Sequence, residues 1–167
     1  ASFTQFLGYV PNFDEYKVMG MAPYGEKKYF DLINNMITNR KNFFEINEKY
    51  FDFPVGKYPL YNQKEFTKLF GPPSDYSKNP SKRDINLSAS FQEVLSESFL
   101  KYVKNAVNIT GIKDVCLTGG VSMNCSAVGD LVKSGIVRNV FLNFASADDG
   151  CAIGAAFLES ENFSDNF

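Results

Sequence analysis

Two strand-turn-helix patterns near the carboxyl end of the chain constrain its fold more than any other sequence feature. Lys113–Thr118 has the composition of a short buried strand, and Gly119 and Gly120 follow it as a turn without β-carbons. A helix is predicted from Val121 onward. Arg138–Asn143 is a second strand-like run, and an acidic turn separates it from a Gly/Ala-rich helix. Two such units in succession predict a parallel sheet.

The turns after these two strands should lie at the same edge of the sheet. Ligands of open parallel sheets collect at the carboxyl ends of the strands, and that edge would carry Gly119, Gly120, Asn124 and Asp148. Bare N–H groups at a helix start attract phosphate, and glycine lets the backbone approach it closely. A diglycine between strand and helix is also a common tight connection, so the turn alone leaves both interpretations open.

Composition is typical of one globular domain. The 167 residues fall within the range of roughly 100 to 200 for a domain, and seventeen Phe and nine Tyr predict an aromatic-rich interior. A net charge of −2 gives no electrostatic basis for binding nucleic acid or an anionic membrane. The apolar stretches fall short of the ~20 residues that cross a bilayer, and no signal-peptide pattern is present. The chain is predicted to be cytoplasmic.

Local patterns predict the remaining elements. Helices are expected over Glu26–Thr38, Asn62–Phe70 and Asn86–Asn108, the last from its apolar stripe. A strand is expected over Phe3–Val10, and a hairpin over Phe43–Phe53. The proline- and serine-rich stretch 71–82 is a predicted surface loop, and 14–25 has helix-or-turn character. Ser90 and Glu93 have capping-box spacing, although a helix start nearer Asp84 or Asn86 is favoured.

The cysteines are predicted to be structural. Cys116, Cys125 and Cys151 show no CxxC spacing, and the chain has no histidine. We therefore expect small buried thiols, with a catalytic thiol as the weaker alternative because no base is available to activate one.

Three blocks carry a family resemblance. FDEYKVMGMAPYG (Phe13–Gly25), LTGGVSMNCSAVG (Leu117–Gly129) and ADDGCAIGAA (Ala147–Ala156) resemble, in that order, signature blocks of the NodU/CmcH-type O-carbamoyltransferases. The resemblance covers nearly the whole chain, with a loose match over residues 40–85. It implies an α/β fold: one lobe of an actin-like or sugar-kinase-like (ribonuclease H-like) ATPase domain, with a mostly parallel sheet flanked by helices.

The resemblance also implies a nucleotide site for ATP. The amides of Gly119 and Gly120 would approach phosphate, and Asn124 would bind ribose, adenine or phosphate unless it is only a surface helix residue. In the first block, Lys17 would contact phosphate or ribose, and Glu15 would bind ribose hydroxyls. A solvated ion pair is the alternative for both Lys17 and Glu15.

A metal site is implied at the last block. Asp148 precedes Gly150 by two positions and so matches the family's metal aspartate, which leaves Asp149 as the predicted helix cap. The metal would be a divalent cation, iron-like, with magnesium and manganese as alternatives. The family supplies two further ligands from an HxxxH motif, and these histidines must lie outside this chain because it contains none.

The implied activity is ATP-dependent O-carbamoyl transfer in a biosynthetic pathway. Carbamoyl phosphate and ATP would form carbamoyl-adenylate, which would pass its carbamoyl group to a hydroxyl-bearing small molecule. Residues 1–167 would form a single domain, the second lobe of the catalytic domain. Because the chain begins at Ala1 without Met, we expect a fragment that is inactive alone and needs the missing upstream lobe and carboxyl-terminal domain of the same protein.

Two alternatives remain open at this point. A sugar-kinase-like or threonylcarbamoyl-transferring relative would share the diglycine turn but not the EYKVMGMAPYG block. A non-catalytic nucleotide-binding or interaction module would keep the fold without the chemistry, and the presence of Asp148 speaks against it. An HxxxH helix upstream of Ala1 would favour the enzyme.

Overall fold

A computed structural model describes residues 1–40, 43–52 and 58–159 of the chain. The chain forms two units, Ala1–Asn105 and Ala106–Phe167. Helices and strands occur in both, and one of the two small sheets is parallel. The predicted mixed α/β class with a parallel sheet is therefore confirmed.

The first unit is mainly helical. It contains α1 (Ser2–Phe6), α2 (Glu15–Met21), α3 (Phe30–Asn34), α4 (Gln63–Phe70) and most of α5 (Lys82–Thr110), whose last residues belong to the second unit. Short 3-10 turns cover Ala22–Tyr24 and Glu48–Tyr50. Strands β1 (Ile37–Arg40) and β2 (Phe43–Ile46) form an antiparallel hairpin in which Ile37 lies opposite Ile46.

An aromatic cluster forms the core of this unit, as the composition predicts. Phe66 and Phe70 lie one turn apart on α4, and their rings meet at 5.5 Å between centroids. Phe6 of α1 contacts Phe66 at 5.3 Å, and both side chains are fully buried. Each such side chain stabilises the fold by roughly 1.5–3 kcal/mol through removal of its apolar surface from water.

Helix α5 has a capping box at its start. The Ser81 N–H group donates to Asp84 Oδ2 (2.9 Å), and the Asp84 N–H group donates to Ser81 Oγ (3.3 Å). The helix begins at Lys82, slightly before the favoured start at Asp84 or Asn86, and the Ser90–Glu93 spacing is not a cap. Ser90 lies inside the helix and donates its hydroxyl to the Asn86 carbonyl (2.7 Å). The predicted α4 helix and the loop before α5 are confirmed.

Three local predictions for the first unit are wrong. The strand over Phe3–Val10 is replaced by α1, because Phe3 and Phe6 share one buried helix face. The helix over Glu26–Thr38 shrinks to α3 and is followed by β1. The hairpin over Phe43–Phe53 pairs β2 with β1 instead of with the following residues, which form the 3-10 turn. Residue 53 itself lies outside the described residues.

The second unit repeats a strand-helix pattern. It contains β3 (Asp114–Leu117), a 3-10 helix (Gly120–Met123), α6 (Cys125–Lys133), β4 (Asn139–Leu142) and α7 (Gly150–Leu158). Strands β3 and β4 are parallel, with Leu117 opposite Leu142. This arrangement confirms the two predicted strand-turn-helix units. Helix α6 buries Ala127, Val128 and Leu131.

The strands of this unit are less buried than the sequence predicts. Residues of β3 alternate between exposed and half-buried, and Phe141 of β4 is 66% exposed. Helix α7 has no buried residue, although its composition is almost entirely apolar. None of the helices in the described ranges is long and apolar enough to cross a bilayer.

Candidate functional site

The loops after β3 and β4 are joined by one carbonyl group. The C=O of Ser146 accepts the Gly119 N–H (2.6 Å) and the hydroxyl of Thr118 (3.2 Å). Ser146 is only 5% exposed. We call residues 118–121 the diglycine turn and residues 143–149 the acidic loop. Their contact confirms that the two loops lie together at the carboxyl edge of the parallel strands.

Both backbone polar groups of Gly119 form hydrogen bonds within the protein. Besides its N–H bond to Ser146, its carbonyl accepts the N–H (3.0 Å) and the hydroxyl (2.7 Å) of Ser122. Its φ of +87° lies in the left-handed region, where a side chain is strained. Gly119 therefore sets the shape of the turn, and in this arrangement its N–H is not directed at a ligand.

Gly120 and Val121 present the available amides of the diglycine turn. They begin the 3-10 helix, and within the described part of the chain neither N–H group has a hydrogen-bond acceptor. A Cβ at Gly120 would meet no described heavy atom within 4 Å. Two neighbouring N–H groups beside open space are suited to bind an anion. The sequence pointed to Gly120 but missed Val121.

Asn124 has a different place from the one predicted. The α-helix begins at Cys125 instead of Val121, and Asn124 is its N-cap, with Oδ1 accepting the Ala127 N–H (3.0 Å). Its side-chain oxygen is thus occupied in holding the helix start. Asn124 remains beside the diglycine turn, which ends three residues earlier, and its predicted role toward a nucleotide is untested.

The acidic loop makes close backbone contacts where it joins α7. Asp148 and Asp149 are both exposed, and the Asp148 carbonyl accepts the Cys151 N–H (3.2 Å). Asp149 occupies the N-cap position, but its side chain makes no capping hydrogen bond, so the prediction that it caps the helix is wrong in this respect. A Cβ at Gly150 would lie 2.4 Å from the Ala145 carbonyl oxygen. Only glycine fits there without moving the loop.

The described residues do not by themselves form a metal site. Across 1–40, 43–52 and 58–159, no group of three or more Cys, Asp or Glu side chains is placed to hold a metal ion. Asp148 offers a single exposed carboxylate, and one carboxylate is too few donors for a divalent cation. The predicted metal would therefore need further ligands from outside the described residues.

Lys17 and Glu15 lie on α2, in the first unit. The Lys17 ammonium is 2.9 Å from Asp14 Oδ1 and faces the rings of Tyr9 and Tyr16 at 5.5 and 5.7 Å from their centroids. The hydrogen bond from Lys17 lowers the pKa of Asp14, and the reciprocal bond raises the pKa of Lys17. The ion pair that the sequence left as an alternative is therefore present for Lys17.

Glu15 is also engaged locally. Its Oε1 accepts the Asn12 N–H (2.8 Å). Partial burial alone would raise the pKa of this carboxyl, but the hydrogen bonds that it accepts lower it overall. The structure thus places Gly119, Gly120, Asn124 and Asp148 in the second unit, and Glu15 and Lys17 in the first. The nucleotide-binding roles of Glu15, Lys17, Gly119, Gly120 and Asn124 stay predictions, as does the metal role of Asp148.

Sequence reasoning missed the hydroxyl residues that hold the site. Thr118, Ser122 and Ser146 make the bonds that fix the diglycine turn, and their positions beside the glycines and the acidic turn were the only sequence signal for this.

The sequence-based prediction of buried cysteines is wrong. Cys116, Cys125 and Cys151 are exposed and form no disulfide, because each lies on a strand or helix face that the unit leaves uncovered.

Comparison with known proteins identifies the family. Residues 1–157 match the family described as carbamoyltransferase N-terminus. This match covers nearly the whole chain, so the chain belongs to that family. The resemblance carried by the three sequence blocks is confirmed.

Similar proteins are several times longer than this chain. The chain is 37% identical over 159 residues to the uncharacterized protein sll1178 of Synechocystis, covering 93% of this chain and 26% of that protein. It is 36% identical over 159 residues to the nodulation protein NolNO of Sinorhizobium fredii, covering 93% and 21%. The nodulation protein NolO of Bradyrhizobium diazoefficiens is 32% identical over 151 residues, covering 89% and 25%. The chain thus spans about a quarter of the length of these relatives.

Proposed function

We propose that this chain is the nucleotide-binding part of an ATP-dependent O-carbamoyltransferase. Family membership supports the transferase class. One structural observation carries the nucleotide assignment: the acidic loop holds the diglycine turn, in which the N–H groups of Gly120 and Val121 have no acceptor among the described residues and a Cβ at Gly120 would meet no described heavy atom within 4 Å. Phosphate oxygens are strong acceptors for such paired amides.

The chemistry of the proposed reaction needs this kind of site. Carbamoyl phosphate is hydrolysed to carbamate and inorganic phosphate, a carbamate oxygen displaces pyrophosphate from ATP to give carbamoyl-adenylate, and the carbamoyl group then passes to a hydroxyl of an acceptor small molecule with release of AMP. Negative charge grows on the departing phosphate oxygens, and backbone N–H groups fixed in advance stabilise it without reorganising. In this proposal Gly120 and Val121 supply those donors, and Gly119 holds them in place.

The complete enzyme would be larger than this chain. We propose that the parallel β3-β4 unit is part of an actin-like or sugar-kinase-like lobe, and that another lobe and a further domain of the same protein complete the active site. Relatives about four times as long support this view. Lys17 and Glu15 of the first unit stay proposed phosphate or ribose partners, and Asn124 at the start of α6 stays a proposed nucleotide contact of the second unit. The assembled protein would act in the cytoplasm.

The proposal assigns one residue of this chain to a divalent metal. Asp148 would contribute a carboxylate, and the imidazoles that complete the coordination would come from outside this chain. The metal would polarise or orient the carbamoyl group when it is bound.

Substitution of Gly120 tests the nucleotide assignment. In the full-length protein, Gly120→Val should reduce ATP affinity at least tenfold, because the valine side chain would occupy the open space beside these amides. The fold should be unaffected, since Gly120 has no positive φ and its Cβ has room. Isothermal titration calorimetry with ATP measures the effect.

Gly129→Val is the matched control for this experiment. Gly129 lies within α6, where a Cβ also meets no described atom within 4 Å, but outside the diglycine turn. This variant should bind ATP as the wild type does. A folded Gly120→Val protein with unchanged ATP affinity would contradict the assignment of the turn to phosphate.

A further inference from the structure

Thr118, the first residue of the diglycine turn, forms a side-chain hydrogen bond outside that turn. Its hydroxyl donates across to the acidic loop, 28 residues further along the chain, and shares the Ser146 carbonyl with the Gly119 N–H. A carbonyl oxygen has two lone pairs, so one group accepts both bonds. The diglycine turn and the acidic loop are therefore connected by two hydrogen bonds at a single oxygen.

The acidic loop is itself held tightly around that oxygen. The Ser146 hydroxyl donates to the Asn143 carbonyl, and the Asn143 side chain accepts the Ala145 N–H (3.1 Å). At the other end, Gly150 approaches the Ala145 carbonyl so closely that no Cβ fits between them. A displacement of Ser146 cannot be absorbed locally, because the residues on both sides of it are tied. It must move the loop that carries Asp148.

We propose that Thr118 is a positioning residue whose hydroxyl transmits nucleotide binding at the diglycine turn to the acidic loop. This inference rests on the proposed function, because it takes ATP as the ligand of the turn. When phosphate binds the amides of Gly120 and Val121, the fluctuations of the turn are reduced further, and the two bonds to Ser146 extend this effect to the acidic loop. Asp148 is thereby held more firmly when nucleotide is present than when it is absent.

Two substitutions at Thr118 separate the hydroxyl from the shape of the side chain. Thr118→Val keeps the shape and removes the donor, whereas Thr118→Ser keeps the donor. Thr118 is exposed, and Ser146 keeps its bond from Gly119, so the valine variant leaves no buried acceptor without a partner. Both variants should therefore fold. One neutral hydrogen bond corresponds to about a fivefold change in an equilibrium.

Ser122→Ala is the matched control for a weakened turn. The Ser122 hydroxyl donates to the Gly119 carbonyl and not to Ser146, and the Ser122 N–H remains as a second donor to that carbonyl. This change loosens the diglycine turn but leaves both bonds to the acidic loop. If ATP-dependent protection of the acidic loop is lost only in Thr118→Val, the loss therefore comes from the missing bond between Thr118 and Ser146.

Hydrogen exchange of the full-length protein, followed by mass spectrometry with and without saturating ATP, tests the proposal. In the wild type, Thr118→Ser and Ser122→Ala, ATP should slow exchange in peptides of both the diglycine turn and the acidic loop. In Thr118→Val, ATP should still protect the turn, while the protection of the acidic loop falls about fivefold.

The other outcomes are distinguishable. Equal protection of the acidic loop in Thr118→Val and the wild type would overturn the inference while leaving the nucleotide site intact. The inference would also be overturned if ATP did not protect the acidic loop in Thr118→Ser, because a hydroxyl alone would then not be enough to couple the two loops. If ATP protects neither loop in the wild type, the proposed nucleotide function fails, and this inference fails with it.

Discussion

Gly150 offers the sharpest test of how the acidic loop is held. A Cβ at this position would lie 2.4 Å from the Ala145 carbonyl oxygen, whereas ordinary contacts begin at 3.4 Å. Gly150→Ala must therefore displace the backbone around Ala145 by about 1 Å, and this atom cannot rotate away as a side chain would. Overpacking of this kind costs roughly 1–3 kcal/mol.

Gly154→Ala is the matched control in the same helix. Gly154 lies in the interior of α7 and is exposed, and a Cβ there would meet no described heavy atom within 4 Å. Alanine at this position should increase the free energy of unfolding by about 0.8–1 kcal/mol, because it restricts the unfolded backbone and favours helix. The two glycine-to-alanine changes should thus have opposite signs.

Guanidinium denaturation of the 167-residue chain, followed by far-UV circular dichroism, measures both free energies of unfolding. The two variants should differ by roughly 2–4 kcal/mol, the sum of the overpacking cost and the helix gain. If Gly150→Ala stabilised the chain as much as Gly154→Ala, the close approach of Gly150 to Ala145 would be wrong. The rigid acidic loop would then lose its main structural support.

Three further predictions concern charged residues. In the full-length protein, Lys17→Gln should weaken ATP binding severalfold while Asp14→Asn does not; equal effects of both on calorimetric affinity would assign Lys17 to its ion pair with Asp14. Asp84→Asn should cost about 2–3 kcal/mol of unfolding free energy, because it weakens the bonds to Ser74, Ser81 and Arg83. Although burial alone would raise the pKa of Asp84, these bonds lower it below 3.8, so its stabilisation is complete above that pH and is lost as the pH falls through the lowered pKa. Denaturation at pH 7 and pH 3 should therefore show a shallower acid loss in Asp84→Asn than in the wild type. Finally, elemental analysis of the full-length protein should show divalent metal lost from Asp148→Asn but kept in Asp149→Asn, and the reverse would shift the metal assignment by one residue.

Local signals predict the parts of the fold that depend on neighbouring residues. Asn62 begins α4 as an N-cap, and Gly111 ends α5 with a φ of +71°. The alternation of strand and helix from Lys113 onward predicts the parallel β3-β4 pair. Each of these features is encoded within a few residues of where it occurs.

Predictions fail where packing between distant segments decides the structure. Residues 3–10 are apolar enough for a strand, but their helical spacing lets Phe3 and Phe6 reach α4, and that burial selects the helix. The predicted start of α6 is wrong because Asn124, and not the diglycine, supplies the cap. No sequence pattern predicts that the carbonyl of Ser146 accepts hydrogen bonds from Gly119 and Thr118, 27 and 28 positions earlier.

The two glycines of the diglycine turn show why a motif alone could not define the site. In the sequence they are equivalent, and both are predicted to approach phosphate. In the structure Gly119 is required by its own backbone, since its φ is +87° and both of its polar groups are bonded within the protein. Gly120 has ordinary backbone geometry and open space around it, so nothing in the described fold requires glycine there. Gly129 and Gly154 have open space as well, so it is the place of Gly120 in the turn that is bonded to the acidic loop, beside amides without an acceptor among the described residues, that makes it the residue on which the nucleotide proposal depends.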